Sequence, residues 1–357
     1  MRLVLGLLLG ALLAGCATVP PPQWAEQSLP KPEVAPVARL QQVLAEHDFH
    51  GEALYSPDAV TTHRAAHPDF ADGAAWPWAS VTKQVVATLI LQEVAEGTFA
   101  LDDPVGAFLP RLATSAVTWR ELLQHRSPLP NPDDTERDSA GWPQFYRMSA
   151  PSPLAFCMTG LRDRPAQGYR YNNCDYIVAG AALERATGLE TGALIQERIG
   201  KRAGWTDTRL FGGDEMRDFV SHDPAFSTAL ARFGASGALV GPLADMVRFD
   251  RALLDGTLLD EAARRTLWQG DPALGYMALG QWSFEAALEG CADPVRIIER
   301  RGAIGPIQVR NVILPATGQI LIMATDRAEG TFDFGEVWQG TGLTHDALAA
   351  IACGGGA

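Results

Sequence analysis

Apolar positions along the chain change their period several times, and each change marks an element. Between Pro36 and Glu46 they fall at Val37, Leu40, Val43 and Leu44, one face of a short helix. The next segment, HGEALYSPDAVTTHR, predicts two short strands around the turn Ser56-Pro57-Asp58. From residue 80 to about 270 helical spacing dominates, interrupted by proline-rich loops such as HRSPLPNPDDTER. Val85, Val86, Leu89, Ile90 and Val94 mark one buried helix face, and NCDYIVAGAALERATG and GPLADMVRFDRALLDG each read as a helix closed by glycine. Beyond about 275 the pattern is strand-like, in IGPIQVRNVILP, the turn PATG and QILIMATD, before a last amphipathic helix over roughly 343–352. Strands at both ends of a helical middle predict one α+β body. Residues 38–75 and 276–357 would form its α/β part and residues 76–275 a mostly helical inserted region.

The ends of this pattern carry information of another kind. One arginine precedes an apolar run from Leu3 to Ala14 that ends at Leu13-Ala14-Gly15-Cys16, too short to span a bilayer comfortably. It resembles a bacterial lipoprotein signal. That resemblance implies a signal peptide over 1–15, acyl chains on Cys16 and, with Ala17 where an aspartate favours inner-membrane retention, an address at the outer membrane facing the periplasm. Six prolines between residues 17 and 37 favour extended chain, so 16–37 reads as a lipidated tether to a domain over 38–357.

Charge and cysteine content narrow the functional classes. Formal charge is -13 with no Lys/Arg-rich run, which argues against a nucleic-acid surface. Four cysteines remain after Cys16, an even number that suggests disulfides in an exported protein. Of three connectivities, Cys157 with Cys174 and Cys291 with Cys353 is favoured, because the first pair lies within one segment and the second in the C-terminal part. His63 and His67 stand four apart in a Pro-flanked stretch without helical periodicity. They read as solvated loop histidines, and no metal site and no cofactor is expected.

The candidate chemistry starts at WPWASVTKQVVATLILQEVAEG. Twelve serines and three lysines in 357 positions predict about 0.1 chance Ser-x-x-Lys matches. On a helix Ser80 and Lys83 share a face, so the amine lies within reach of the hydroxyl. A serine attacks well only when a neighbour takes its proton, which lysine can do if burial lowers its pKa and arginine cannot. Only three of the 29 basic residues are lysines, Lys31, Lys83 and Lys201, so a lysine at 83 is the exception expected of a titrating base. The competing reading is Ser80 as an N-cap and Lys83 as a surface charge.

Five segments then appear in a recognisable order: ASVTKQVVATLILQEVAEGTFALDDPVGAFLP, WRELLQHRSPLP, YRYNNCDYIVAGAALERATG, GASGALVGPLADMVRFDRALLDG and RRGAIGPIQVRNVILPATGQILIMATDR. Together they resemble the serine β-lactamase and penicillin-binding superfamily, in its branch of class C β-lactamases, D-Ala-D-Ala carboxypeptidases, D-aminopeptidases and esterases. The resemblance implies a β-lactamase/transpeptidase-like fold, an antiparallel sheet flanked by helices. It also implies a serine hydrolase acting on an amide or ester carbonyl through an acyl-serine. Tyr171 would be general base and acid, Asn173 would hydrogen-bond substrate and the lysine, and the backbone N–H groups of Ser80 and Ala303 would form an oxyanion hole. The third family element, usually Lys-Thr-Gly or His-x-Gly, falls at Arg300-Arg301-Gly302, with Gly302 suited to close approach of a strand to substrate. Arg300 keeps a positive charge for a substrate carboxylate, or else forms a salt bridge at a strand edge. Arg126 and Pro128 depart from the family's His-Thr-Ser-Gly-Leu. The implied partners are a small-molecule or peptidoglycan-derived substrate and, through the lipid, a membrane. The rival class is a non-catalytic cell-wall-binding or scaffold protein on the same fold, which has no need of Ser80, Lys83, Tyr171 and Asn173 together.

Overall fold

A computed structural model describes residues 35–147, 151–162, 168–213 and 224–353. The signal peptide, Cys16 and nearly all of the tether expected over 1–37 lie outside these residues. The helix expected after Pro36 forms as α1 (Pro36–Glu46), started by a proline that needs no N–H partner there. Next come β1 (Gly51–Ser56), β2 (His63–Ala66) and β3 (Ala75–Pro77). The helical middle carries α2 (Thr82–Ala95) and α3 (Asn173–Thr187), the latter closed by Gly188 at φ 75. It also contains β4 (Arg209–Leu210), β5 (Leu239–Pro242) and α4 (Leu243–Leu254). The chain returns through β6 (Trp282–Ala286), β7 (Val295–Ile304), β8 (Ile307–Leu314), β9 (Gln319–Thr325) and α5 (Leu343–Ala352).

Six strands form one antiparallel sheet in the order β2-β1-β9-β8-β7-β6, so both chain ends meet where β1 pairs with β9. Side chains of successive strand residues point to opposite faces, and both faces are covered. Ile320, Ile322 and Ala324 of β9 join the core beneath α2, while Leu321 and Met323 pack with Leu40 of α1 and Leu348 of α5. This two-sided burial explains why QILIMATD reads as continuously apolar rather than alternating. The expected α+β class holds, as do both cysteine pairs: Cys157–Cys174 ties a short helix to the start of α3, and Cys291–Cys353 ties the loop before β7 to the end of α5.

The helical middle differs from expectation in one respect. It contains a second sheet, β3-β5-β4, whose strands have two to four residues and show no readable period. Gly241 and Pro242, taken from sequence as the start of a helix, belong to β5, and α4 begins at Leu243. Gly241 is required there because a Cβ would lie 2.0 Å from Thr208 Oγ1. The small sheet matters because β3 runs directly into the turn that bears Ser80.

Candidate active site

Ser80 lies in a 3-10 turn, Ala79–Val81, between β3 and α2. The turn is held from both sides. Trp78, fully buried, donates from N to Leu239 O at 2.8 Å and from Nε1 to Gly241 O at 3.2 Å. Ala79 adopts φ 47, a left-handed conformation that a non-glycine residue keeps only when its surroundings enforce it. The first turn of α2 then brings Lys83 beneath Ser80.

Lys83 Nζ lies 3.1 Å from Ser80 Oγ, 2.8 Å from Asn173 Oδ1 and 2.6 Å from Ser236 O. It is fully buried. Burial first, and the Arg300 guanidinium second, hold its pKa well below the usual lysine range. A neutral amine has two N–H groups and one lone pair. The two shorter contacts occupy the N–H groups, which leaves the lone pair for the Ser80 hydroxyl.

Tyr171 approaches from the opposite side, its hydroxyl 2.5 Å from Ser80 Oγ. Burial raises its pKa despite the opposing effects of Arg300 and the Ser80 hydrogen bond, so the group is a neutral phenol at neutral pH. Behind Tyr171 lies the His125 ring, 4.6 Å away between centroids and fully buried. His125 Nδ1 is 3.1 Å from Asp175 Oδ2 and accepts from Asn172 N–H at 3.3 Å, and Ser127 Oγ hydrogen-bonds the other Asp175 oxygen. Burial drives the Asp175 carboxyl well above, and the His125 imidazole well below, their ordinary values. The HRSPLP loop therefore props Tyr171 from beneath through His125 and Ser127.

Asn173 is oriented by two contacts. Its Oδ1 faces Lys83, and its Nδ2 donates to Tyr146 Oη at 2.8 Å, which in turn donates to Asp133 Oδ1 at 3.1 Å. Ser236, Tyr146 and Asp133 were not singled out from sequence. Ser236 acts through its backbone carbonyl, which no residue type signals, and the other two lie between the WRELLQHRSPLP and YRYNNCDYIVAGAALERATG segments.

β7 completes the site. Arg300 is 1% exposed, with Nε donating to Ser80 O at 2.9 Å and Nη2 to Tyr171 Oη at 3.1 Å; Nη1 has no partner among the described residues. Its guanidinium stacks between the Tyr171 and Trp282 rings. Two of the five N–H groups of the fork expected to hold a substrate carboxylate are thus spent on the machinery itself, and no acidic side chain pairs with it among the described residues. Arg301 is the one in ion pairs, to Glu299 at 2.9 Å and to Glu336. Gly302 also has a different reason from the one expected: a Cβ there would lie 2.7 Å from Trp78 O, 2.9 Å from Ala79 Cβ and 3.0 Å from Ser80 N. It allows close approach of the serine's own turn. The cavity in front measures about 620 Å³ and is lined by Ser80, Tyr171, Arg300 and Ala303 with Trp142 and Phe233.

A serine–lysine–tyrosine cluster with its lysine fully buried, on a turn between a helix and an antiparallel sheet, defines a class of acyl-transfer fold. Residues 50–280 match the family model described as Beta-lactamase, and the chain belongs to that family. It is 31% identical over 206 residues to esterase EstB of Burkholderia gladioli, covering 52% of this chain and 50% of that protein. To penicillin-binding protein 4* of Bacillus subtilis (strain 168) it is 22% identical over 267 residues, covering 64% and 57%. The chain thus spans about half the length of these curated relatives. Among solved structures, a D-stereospecific amidohydrolase from Streptomyces sp. superposes with TM-score 0.71 at 22% identity, covering 90% of this chain and 99% of that one. D-amino acid amidase from Ochrobactrum anthropi SV3 gives TM-score 0.71 at 20% identity, covering 88% and 99%. Both share the fold described above.

Proposed function

We propose that the protein is a serine hydrolase that cleaves an amide or ester carbonyl through an acyl-Ser80 intermediate. The observation that carries this is Ser80 Oγ held between Tyr171 Oη at 2.5 Å and a fully buried Lys83 Nζ at 3.1 Å. Ser80 Oγ bonds to the carbonyl carbon as its proton passes to the Lys83 lone pair, and the carbonyl electron pair moves onto oxygen. Backbone N–H groups of Ser80 and Ala303 stabilise that oxyanion. Collapse expels an alcohol or amine, which takes the proton through Lys83 and Tyr171. Water then attacks the acyl-serine, gives its proton to the same pair, and returns Ser80. Tyr171, being a neutral phenol, relays protons rather than starting the reaction as a phenolate.

Names of relatives, an esterase and a D-aminopeptidase, support esters and D-amino-acid amides as substrate classes. The test is intact-mass analysis after a fluorescent penicillin, alongside nitrocefin, D-alanine p-nitroanilide and short-chain nitrophenyl esters. Ester or anilide turnover lost in Ser80→Ala is expected; turnover that survives in that variant would sink the mechanism. A non-catalytic binding role would instead show ligand binding with neither adduct nor turnover.

We also propose that Cys16 carries acyl chains that anchor the protein at the outer membrane, facing the periplasm. The lipobox-like run before it and two disulfides, which suit an oxidising compartment, support this. Cys16→Ser should leave membrane fractions; persistence there would point to another anchor.

A further inference from the structure

At the β2 edge of the large sheet, separated from β7 by β1, β9 and β8, three donor side chains converge. One ligand atom each from His50, His67 and Asp69 lie within 4.8 Å of one another. Asp69 Oδ2 is 3.3 Å from His50 Nε2 and 3.4 Å from His67 Nδ1. These separations are long for an imidazole–carboxylate hydrogen bond; His50 Nδ1 meets Asp326 Oδ1 at 2.8 Å a few ångströms away. They do match the edge of a tetrahedron around zinc. With metal–ligand bonds of about 2.0–2.1 Å, neighbouring donors stand roughly 3.3–3.4 Å apart.

The surroundings support a held site rather than a chance grouping. In the tautomer whose Nδ1–H donates to Asp326, the His50 Nε2 lone pair faces Asp69, the arrangement that carboxylate–histidine pairs take behind metal ions. The edge of the Phe70 ring confines the His50 ring at 5.2 Å, and His67 N donates to Gly51 O at 2.9 Å, fixing its backbone to β1. His67 Nδ1 accepts a long 3.4 Å contact from the Asp69 amide N–H, so its lone pair lies on that nitrogen and a cation would displace this contact. Two carboxylates, Asp69 and Asp326, offset the cation, and the nearby Arg327 guanidinium is engaged by Asp48 at 3.1 Å. His63, the residue paired with His67 by sequence spacing, is not part of this group: its ring stacks on Tyr55.

We propose that His50, His67 and Asp69 form a binding site for a zinc-class divalent cation, with water in the fourth position and Asp326 as the outer support of His50. Two histidines and a carboxylate suit a borderline cation such as Zn²⁺ rather than Mg²⁺ or Ca²⁺. Such a cation would clip the segment after β2 to the start of β1, and nothing in the hydrolytic chemistry passes through it.

The experiment is calorimetric titration of the chelator-treated full chain with Zn²⁺, with Co²⁺ absorbance as a geometric readout. One equivalent of Zn²⁺ and an intense visible Co²⁺ band of tetrahedral type are expected. His67→Ala or Asp69→Asn should abolish stoichiometric binding, and both side chains are partly exposed, so folding checked by circular dichroism should persist. Asp326→Asn should weaken binding about 10- to 100-fold while leaving stoichiometry unchanged. His63→Ala should change nothing. No stoichiometric binding, binding that survives His67→Ala, or a weak octahedral Co²⁺ spectrum would overturn the site.

Discussion

Gly302→Ala offers the sharpest test of how the serine is held. A Cβ at this position would lie 2.7 Å from Trp78 O, about 0.7 Å short of an ordinary contact near 3.4 Å. Gly302 is fixed in register with Val309 of β8, and Trp78 is pinned by Leu239 O and Gly241 O. The displacement therefore falls on Ala79 and Ser80, and Ala79 already occupies a strained backbone region. Overpacking of this kind costs about 1–3 kcal/mol of stability. A shift of Ser80 approaching 1 Å against Tyr171 and Lys83 should lower turnover roughly 100-fold.

The assay is kcat/KM for nitrophenyl acetate and for longer acyl chains, with urea melts to confirm folding. Because the clash is with the serine's own turn, the loss should be the same for every acyl length. If Gly302 instead made room for substrate, the smallest ester would be spared and KM would rise with chain length. A variant that keeps wild-type kcat on acetate would refute the role of Gly302 in seating the serine turn.

Lys83→Arg keeps the charge but removes the titrating lone pair, and Lys83→Met keeps the length without either; both should lower the acylation rate about 100- to 10,000-fold in stopped-flow measurements, and wild-type acylation in either would exclude Lys83 as base. Removing the cation at 300 raises the Lys83 pKa, so Arg300→Gln should move the acid limb of the kcat/KM profile to higher pH; an unchanged limb would show that the guanidinium does not tune the amine. Burial raises the Asp250 carboxyl to about 8, and its Oδ2 has no hydrogen-bond partner among the described residues. The folded state then holds a proton that the unfolded chain has released, so this group makes stability fall as pH rises from about 4 to about 8, by up to about 1.4 kcal/mol per pH unit. Denaturation of Asp250→Asn at pH 5 and pH 8 should show a flatter dependence; an unchanged slope would place the titration elsewhere.

The parts of this site that sequence exposes are the local ones. Ser80 and Lys83 lie three residues apart across the start of one helix, so their proximity follows from helix geometry, and the scarcity of lysine marks the position as special. Tyr171 and Asn173 become readable only through the family's segment order, because no local rule brings residue 171 to residue 80. Ser236 was hidden because its contribution is a carbonyl oxygen. Arg300 was placed correctly on the strand lining the site, yet its partners depend on the approach of β7 to the Ser80 turn, which is a tertiary fact. The same limit applies to His50 and His67: spacing along β2 suggests His63 with His67, whereas the pairing of β2 with β1 carries His67 to His50 instead.

Arginine at 300 also explains why lysine must stand at 83. Three hydrogen bonds of 3.1, 2.5 and 3.1 Å link Lys83 Nζ through Ser80 Oγ and Tyr171 Oη to Arg300 Nη2, so two buried basic groups share one chain of oxygens. Two like charges held that close in a poorly solvated site repel, and the pair relaxes by losing a proton from whichever member can release it. A guanidinium does not, and an amine does. The neutral amine then has acceptors for both N–H groups in Asn173 and Ser236 and a lone pair directed at the hydroxyl it must deprotonate. In the proposed mechanism burial first, and the permanent cation at 300 second, hold the amine at 83 in its basic form.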